Sequence, residues 1–145
     1  MLYLFTAAPG ITSGDSADLI TASWTAGISH PPGYPLYNAL ARVLASVLPF
    51  GSIAARYNVV SALCGGVAIT LLALLCAELT GSVWAAVAAA TFFATSPTWW
   101  SQCTLAEVYA LNILLFALVL WTWARWDRGH SFAMWIAGSY ALALG

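Results

Sequence analysis

Three acidic residues are candidates for proton-transfer chemistry in a chain that carries few charges. Asp15 and Asp18 are three residues apart, so a helix over this stretch would place both on one side. Glu107 stands far from them, between two long apolar runs. A carboxylate can accept a proton from a hydroxyl nucleophile. Simpler roles also fit: a helix cap for Asp15, a first-turn acid for Asp18 and an interfacial anchor for Glu107.

A second candidate feature is the run HPPGYP at residues 30–35. Its prolines remove backbone donors and restrict their neighbours, so the run cannot form regular helix. Glycine leaves one point of freedom within it. Such a turn presents His30, Tyr34 and the nearby Tyr37 in a set geometry, which favours a binding role over a plain structural turn.

Two arginines could bind a phosphate, because guanidinium donors match its oxygens. The alternative for both is that the side chain snorkels to a membrane interface. We favour snorkelling for Arg42 and leave both roles open for Arg56. Tyr109 follows Glu107 closely and adds a polar group near that acid.

The composition indicates which kind of structure must position these residues. The chain has 145 residues, of which 62% are hydrophobic and only 6% are charged. A soluble domain carries about 25% charged residues, so a polar surface cannot be built here. Apolar runs of about the length that crosses a membrane separate Arg56, Glu78, Glu107 and Arg125. The net charge of −1 gives no reason to expect a nucleic-acid partner.

The pattern therefore predicts an all-α, polytopic transmembrane bundle with a long, structured first external loop. We read the chain as the N-terminal part of one transmembrane domain in a longer protein. The loop contains predicted helices at 15–26, after a capping signal at Ser13 and Asp15, and at 36–48. The predicted parts are a partial span 1–9, the external loop 10–51, and spans at about 57–79, 83–96, 105–124 and 132–145.

Orientation follows from the positive-inside rule. Arg125 and Arg128 lie in a short loop at 125–130, which we place in the cytoplasm. Counting spans back from there puts the 10–51 loop and Glu107 on the external side. The low charge and high alanine content favour a bacterial inner membrane.

Several stretches resemble a family of membrane proteins first catalogued as domain of unknown function 2723. That family includes the transmembrane-protein-260 type of protein O-mannosyltransferase. The resemblance covers nearly the whole chain and is most specific in the HPPGYPLY run. Asp18 stands where the family more often has glutamate. The stretches are GDSAD at 14–18, GISHPPGYPLY at 27–37, LPFG at 48–51, RYN at 56–58 and AEVYAL at 106–111.

The resemblance implies a GT-C-like glycosyltransferase that takes a sugar from a polyprenyl-phosphate donor. Such enzymes keep an essential acid in the first external loop, and Asp15 is the matching position. We expect Asp15 to be the general base for an acceptor hydroxyl, with Asp18 or Glu107 orienting the acceptor or tuning that base. Arg56, with His30, would stabilise the leaving phosphate.

The expected substrate-binding residues are His30, Tyr34, Tyr37, Arg56 and Tyr109. The expected partners are the lipid-linked donor, a protein or glycan acceptor and the bilayer, with mannose as the sugar in one branch of the family. The sequence identifies no cofactor, and metal dependence is open, since the three acids could hold a divalent cation through oxygen ligands. The alternatives to a glycosyltransferase are a transporter or flippase and a non-catalytic membrane scaffold.

Overall fold

A computed structural model of the chain describes residues 2–12, 14–129 and 132–144. Met1, Ser13, His130 and Gly145, which belong to predicted segments, lie outside the described residues. Within the described ranges all regular structure is helical and no strand occurs, which confirms the all-α class. The helices are α1 (Leu2–Thr6), α2 (Ser16–Thr25), α3 (Pro35–Val47), α4 (Ile53–Thr80), α5 (Val83–Ala94), α6 (Pro97–Thr104), α7 (Tyr109–Asp127) and α8 (Phe132–Leu144).

Helices α4 and α7 are long and apolar enough to cross a membrane. Helix α4 has 28 residues and a mean hydropathy of 2.5, and α7 has 19 residues and a mean hydropathy of 1.3. At about 1.5 Å per residue they are roughly 42 Å and 28 Å long. The hydrocarbon core is about 30 Å thick, so their length and composition suit a membrane protein.

Two predicted spans differ from the helices in the structure. The span predicted at 83–96 corresponds to α5, whose 12 residues are fewer than the roughly 20 that a crossing needs. The span predicted at 105–124 corresponds to α7, which begins only at Tyr109. Glu107 therefore lies before the helix. Between α5 and α7 the structure has the short helix α6, which Pro97 can open because proline is tolerated in a first helical turn.

Both helices predicted within segment 10–51 are present. Helix α2 ends where Ala26 adopts a left-handed conformation and the Gly27 N–H donates to the Ala22 carbonyl at 2.8 Å. Helix α3 begins at Pro35, after Tyr34 with φ of +41°. The local sequence signals therefore placed these helices correctly.

Helices α4 and α7 pack side by side and run parallel. At one end, the Glu107 N–H lies 3.4 Å from the Ser61 hydroxyl. At the other end, Arg125 Nη1 lies 2.8 Å from Glu78 Oε1. Ser61 and Glu78 are about 26 Å apart along α4 at the standard helical rise, close to the thickness of the hydrocarbon core. The pair thus carries one polar cluster at each end.

The largest core cluster lies beside the first of these ends. Here α2, α3 and the start of α4 pack against the segment that leads into α7. Leu19, Tyr37, Tyr57 and Ala106 are almost fully buried in it. This packing brings residues from the first third of the chain next to Glu107.

Candidate active site

The structure brings the three predicted acids and His30 to one place. His30 Nδ1 lies 2.8 Å from Asp18 Oδ2, and His30 Nε2 lies 3.6 Å from Asp15 Oδ2. Glu107, from the segment before α7, has its Oε1 next to Gly14. We call these five residues the acidic end of the α4–α7 pair. Residues 14–30 and Glu107, which are remote in sequence, share this site.

Asp18 and His30 form the tightest contact of the site. Asp18 Oδ2 accepts from the His30 backbone N–H at 2.9 Å as well as contacting the ring nitrogen. Both hydrogen bonds lower the pKa of Asp18, and the bond from the His30 backbone N–H has the larger effect. The hydrogen bond to Asp18 raises the pKa of His30. Desolvation lowers this pKa in part, and the negative charges of Asp15 and Glu107 raise it further. The pair therefore favours a carboxylate facing an imidazolium.

Asp15 is the accessible carboxylate of the acidic end. It occupies the N-cap position of α2, yet its side chain makes no capping hydrogen bond. The side chain is 61% exposed, and its closest approach to His30 exceeds hydrogen-bond distance. A cap would direct this carboxylate into its own helix. Here the carboxylate is left available to a substrate.

Glu107 is the buried carboxylate of the site, with 9% of its surface exposed. Burial raises its pKa, and the charge of Asp15 raises it further. Glycine at position 14, where φ is +86°, leaves room for this side chain, since an added Cβ would lie only 3.3 Å from Glu107 Oε1. Neither Gly14 nor Ser61 was predicted as a site residue, although Gly14 precedes Asp15 in the GDSAD stretch.

Two of the predicted tyrosines lie beside these groups. The Tyr34 ring meets the His30 ring edge-on, with centroids 5.5 Å apart. Tyr37 is 4% exposed, and burial raises its pKa. Its hydroxyl has no hydrogen-bond partner among the described residues. The two side chains shape the site from the HPPGYP turn and from α3.

Arg56 and Tyr109 are placed differently. The Arg56 guanidinium donates to the carbonyls of Phe50 and Gly51 at 3.1 and 3.4 Å, which holds the α3–α4 turn. Tyr109 is half exposed and lines a cavity of about 420 Å³ together with Trp99 and other residues of α5–α7. Among the described residues, no hydrogen bond or ion pair joins either side chain to the carboxylates.

Two further points concern ligands. Within the described residues, no group of three or more His, Cys, Asp or Glu side chains is arranged to hold a metal ion. Arg42, which we expected to snorkel, lines a second cavity of about 530 Å³ with Pro32 and Asn38. That cavity adjoins the HPPGYP turn.

The fold and the site define a helical, membrane-associated protein with clustered carboxylates at one end of an apolar helix pair. Residues 15–145 match the family model described as the Protein O-mannosyl-transferase TMEM260 N-terminal domain. The chain belongs to this family, which confirms the resemblance carried by its motifs.

Two relatives carry the same family name. The Protein O-mannosyl-transferase TMEM260 of Mus musculus is 37% identical over 127 residues, which cover 88% of this chain and 18% of the relative. The Protein O-mannosyl-transferase tmem260 of Dictyostelium discoideum is 26% identical over 134 residues, which cover 91% of this chain and 16% of the relative. The chain therefore spans less than a fifth of the curated relatives it matches. No solved structure matches it.

Proposed function

We propose that this chain is the N-terminal part of a multi-spanning, GT-C-like membrane glycosyltransferase. The enzyme moves a sugar from a polyprenyl-phosphate donor to an acceptor hydroxyl on the external face, with Asp15 as general base. The relatives' name, protein O-mannosyl-transferase, supports mannose as the sugar and a protein as the acceptor. That the membrane is a bacterial inner membrane stays a prediction.

The observation that carries this proposal is an exposed carboxylate surrounded by other ionisable groups. Asp15 makes no capping bond, whereas Asp18 is engaged by His30 and Glu107 is buried. Ionisable groups near membrane depth are costly and by default mark function. A purely structural cluster would pair each acid with a cation.

The chemistry follows from the properties of the substrates. A serine or threonine hydroxyl is a poor nucleophile at neutral pH, so a positioned base contributes about 10²–10⁴-fold. Asp15 accepts the hydroxyl proton while the hydroxyl oxygen bonds to the anomeric carbon of the sugar. The bond from that carbon to the phosphate oxygen breaks, and the polyprenyl phosphate leaves with the electron pair.

The remaining groups of the site have supporting roles. The Asp18–His30 pair fixes the turn and supplies a positive charge near the leaving phosphate. Glu107, with its raised pKa, is protonated at a higher pH than an ordinary glutamate and can donate a hydrogen bond to the acceptor. Arg56 stays a proposed phosphate contact on a turn that Ser52 ties to Pro9 by a 3.1 Å hydrogen bond. Tyr34, Tyr37 and Tyr109 stay proposed substrate contacts.

The membrane geometry supports interfacial chemistry. The two polar clusters of the α4–α7 pair are separated by about the thickness of the hydrocarbon core, so each reaches one interface. A transporter would be expected to carry polar or broken segments at mid-membrane. A polyprenyl chain would lie among the apolar helices while its phosphate reaches the acidic end.

The test uses the full-length parent protein in nanodiscs. Radiolabelled polyprenyl-phosphate mannose and a protein extract are supplied, and label transfer is compared for wild type and Asp15→Asn. We expect transfer by the wild type and its loss by at least about 100-fold in the variant, with an unchanged unfolding midpoint.

Two results would count against the proposal. Equal transfer by both proteins would remove Asp15 as the base. Absence of transfer by the wild type with this donor and with a panel of other lipid-linked sugars would remove the glycosyltransferase reading.

A further inference from the structure

Two consecutive residues of α4 connect this helix to the two chain segments that carry the acidic end. Tyr57 and Asn58 are both 0% exposed. Neighbouring residues of a helix point in directions about 100° apart, so the two side chains reach different partners. Buried polar groups are almost always hydrogen-bonded, and losing such a bond leaves a group that water cannot reach.

Asn58 holds the segment that precedes Asp15. Its side-chain Nδ2 donates to the Ala8 carbonyl at 2.7 Å and to the Gly10 carbonyl at 2.9 Å. The Ala8 N–H donates in turn to the Thr104 carbonyl at 3.0 Å, so the same segment is also tied to α6. Asn58 thereby fixes the path of the chain five residues before Asp15.

Tyr57 holds the turn that carries His30 through a relay of hydrogen bonds. The Ser23 hydroxyl donates its single proton to the Asn38 carbonyl at 2.6 Å. The Tyr57 hydroxyl, 2.8 Å from Ser23 Oγ, must therefore be the donor of that bond. The Asn38 side chain then donates to the Gly33 carbonyl at 2.9 Å within the turn.

We propose that Tyr57 and Asn58 are positioning residues, which together set the place of Asp15 relative to His30. Neither touches the carboxylates, so each acts through the segment it holds. One rigid helix turn thus fixes both halves of the site. This inference rests on the proposed function for its kinetic consequence, but the placement of the two segments can be measured without any substrate.

The kinetic arm uses the full-length protein with Tyr57→Phe, which removes one hydroxyl, and Asn58→Ala. A misplacement of about 1 Å can cost about 100-fold in rate, so we expect kcat to fall by about ten- to 100-fold with KM for the donor nearly unchanged. The control is Thr122→Val, which removes a buried hydroxyl bonded only within α7 and should leave kcat unchanged.

A double-mutant cycle separates positioning from general loosening. Tyr57 and Ser23 act through one bond, so Tyr57→Phe combined with Ser23→Ala should be no slower than the slower single variant. Tyr57→Phe combined with Asn58→Ala should be slower than either. If the fold-losses in kcat of Tyr57→Phe and Ser23→Ala multiplied in the double variant, the relay would be contradicted.

The structural arm follows amide hydrogen exchange in nanodiscs. We expect Tyr57→Phe to raise exchange at residues 27–36 and Asn58→Ala to raise it at residues 8–12, each leaving the other segment unchanged. Unchanged exchange in both segments, or the same rise in both, would overturn the proposal. The exchange measurement tests the placement of the two segments even if the wild type transfers no sugar. If the wild type transfers sugar and both variants do so as fast as the Thr122→Val control, the positioning role is wrong while the proposed function stands.

Discussion

The two ends of the α4–α7 helix pair carry similar residue types in opposite arrangements. At the arginine end, formed by Glu78, Arg125 and Arg128, one acid faces two cations. Arg125 Nη1 bonds Glu78 Oε1 at 2.8 Å, and Arg128 donates to the Glu78 carbonyl. At the acidic end, three carboxylates share a single histidine, and the Asp15 side chain is 61% exposed.

This difference separates charges that hold the fold from charges that can perform chemistry. Paired charges at a helix end add modest stability and leave no reactive group free. An excess of acids costs stability through mutual repulsion and is retained where a function requires it. The arginine end therefore serves as an internal reference for variants of the acidic end.

Next to the loss of the Asp15 carboxylate itself, the largest effect is expected from Gly14→Ala. The new Cβ would lie 3.3 Å from Glu107 Oε1 at a backbone φ of +86°, so either this carboxylate or the backbone before Asp15 must move by a few tenths of an ångström. We expect sugar transfer to fall by about 100-fold, measured as kcat in nanodiscs. The control is Gly129→Ala at the arginine end, where φ is +82° but nothing lies within 4 Å. The two variants carry similar backbone strain, so equal rates would show that the Gly14–Glu107 contact has no role.

A second effect concerns the packing of α6 against α4. In Gly65→Ala the added Cβ of α4 would overlap Cys103 Sγ and lie 3.1 Å from Cys103 Cβ on α6. Overpacking of this kind costs about 1–3 kcal/mol, which we expect as a lower unfolding midpoint. Gly66→Ala, with nothing within 4 Å, should leave the midpoint unchanged or raise it. A tolerated Gly65→Ala would refute the close α4–α6 contact.

A smaller effect is expected at the arginine end. Arg125→Gln leaves Glu78, whose side chain is 18% exposed, without its partner. We expect a loss of about 1 kcal/mol in unfolding free energy, with kcat unchanged. Adding Glu78→Gln should recover part of that loss, because no charge is then left unpaired. A loss of transfer without a loss of stability would assign this end a catalytic role.

The smallest effect is a change in pH dependence at the acidic end. The hydrogen bond to Asp18 raises the pKa of His30 above its ordinary value of 6.5, and the facing charges of Asp15, Asp18 and Glu107 raise it further. The stabilising pair is therefore fully present below that value and is lost as the pH rises through the raised pKa. Asp18→Asn should move the alkaline limb of the kcat profile, recorded between about pH 5 and 9, to lower pH. An unmoved limb would separate His30 from the reaction.

Local parts of the fold could be predicted from the sequence. Helices α2 and α3 lie close to their predicted bounds, because local signals such as Gly27 and Pro35 act over a few residues, although Asp15 makes no capping hydrogen bond. Helix α6, which begins at Pro97, was not predicted. Proline marks a helix start as readily as a break, and only the surrounding packing decides between them.

The sequence predicted which residues form the site better than it predicted how they are arranged. Asp15, Asp18 and Glu107 were named because charges are rare in this chain, and His30 was named because it opens the HPPGYP turn. Their convergence depends on the long-range packing of segment 10–51 against α4 and the start of α7, which no local pattern encodes. The bond between Ser23 and Tyr57 spans 34 positions, and for that reason the positioning role of Tyr57 was not foreseen.

The most direct measurement compares Asp15→Asn with Glu78→Gln in the full-length protein, recording label transfer and unfolding midpoint for each. The account predicts that Asp15→Asn abolishes transfer while its midpoint is unchanged or raised, because it removes an excess charge. It predicts that Glu78→Gln lowers the midpoint while the folded protein still transfers sugar. If both variants lost transfer and stability together, or if Asp15→Asn transferred sugar as the wild type does, the division between a chemical and a structural end would be wrong.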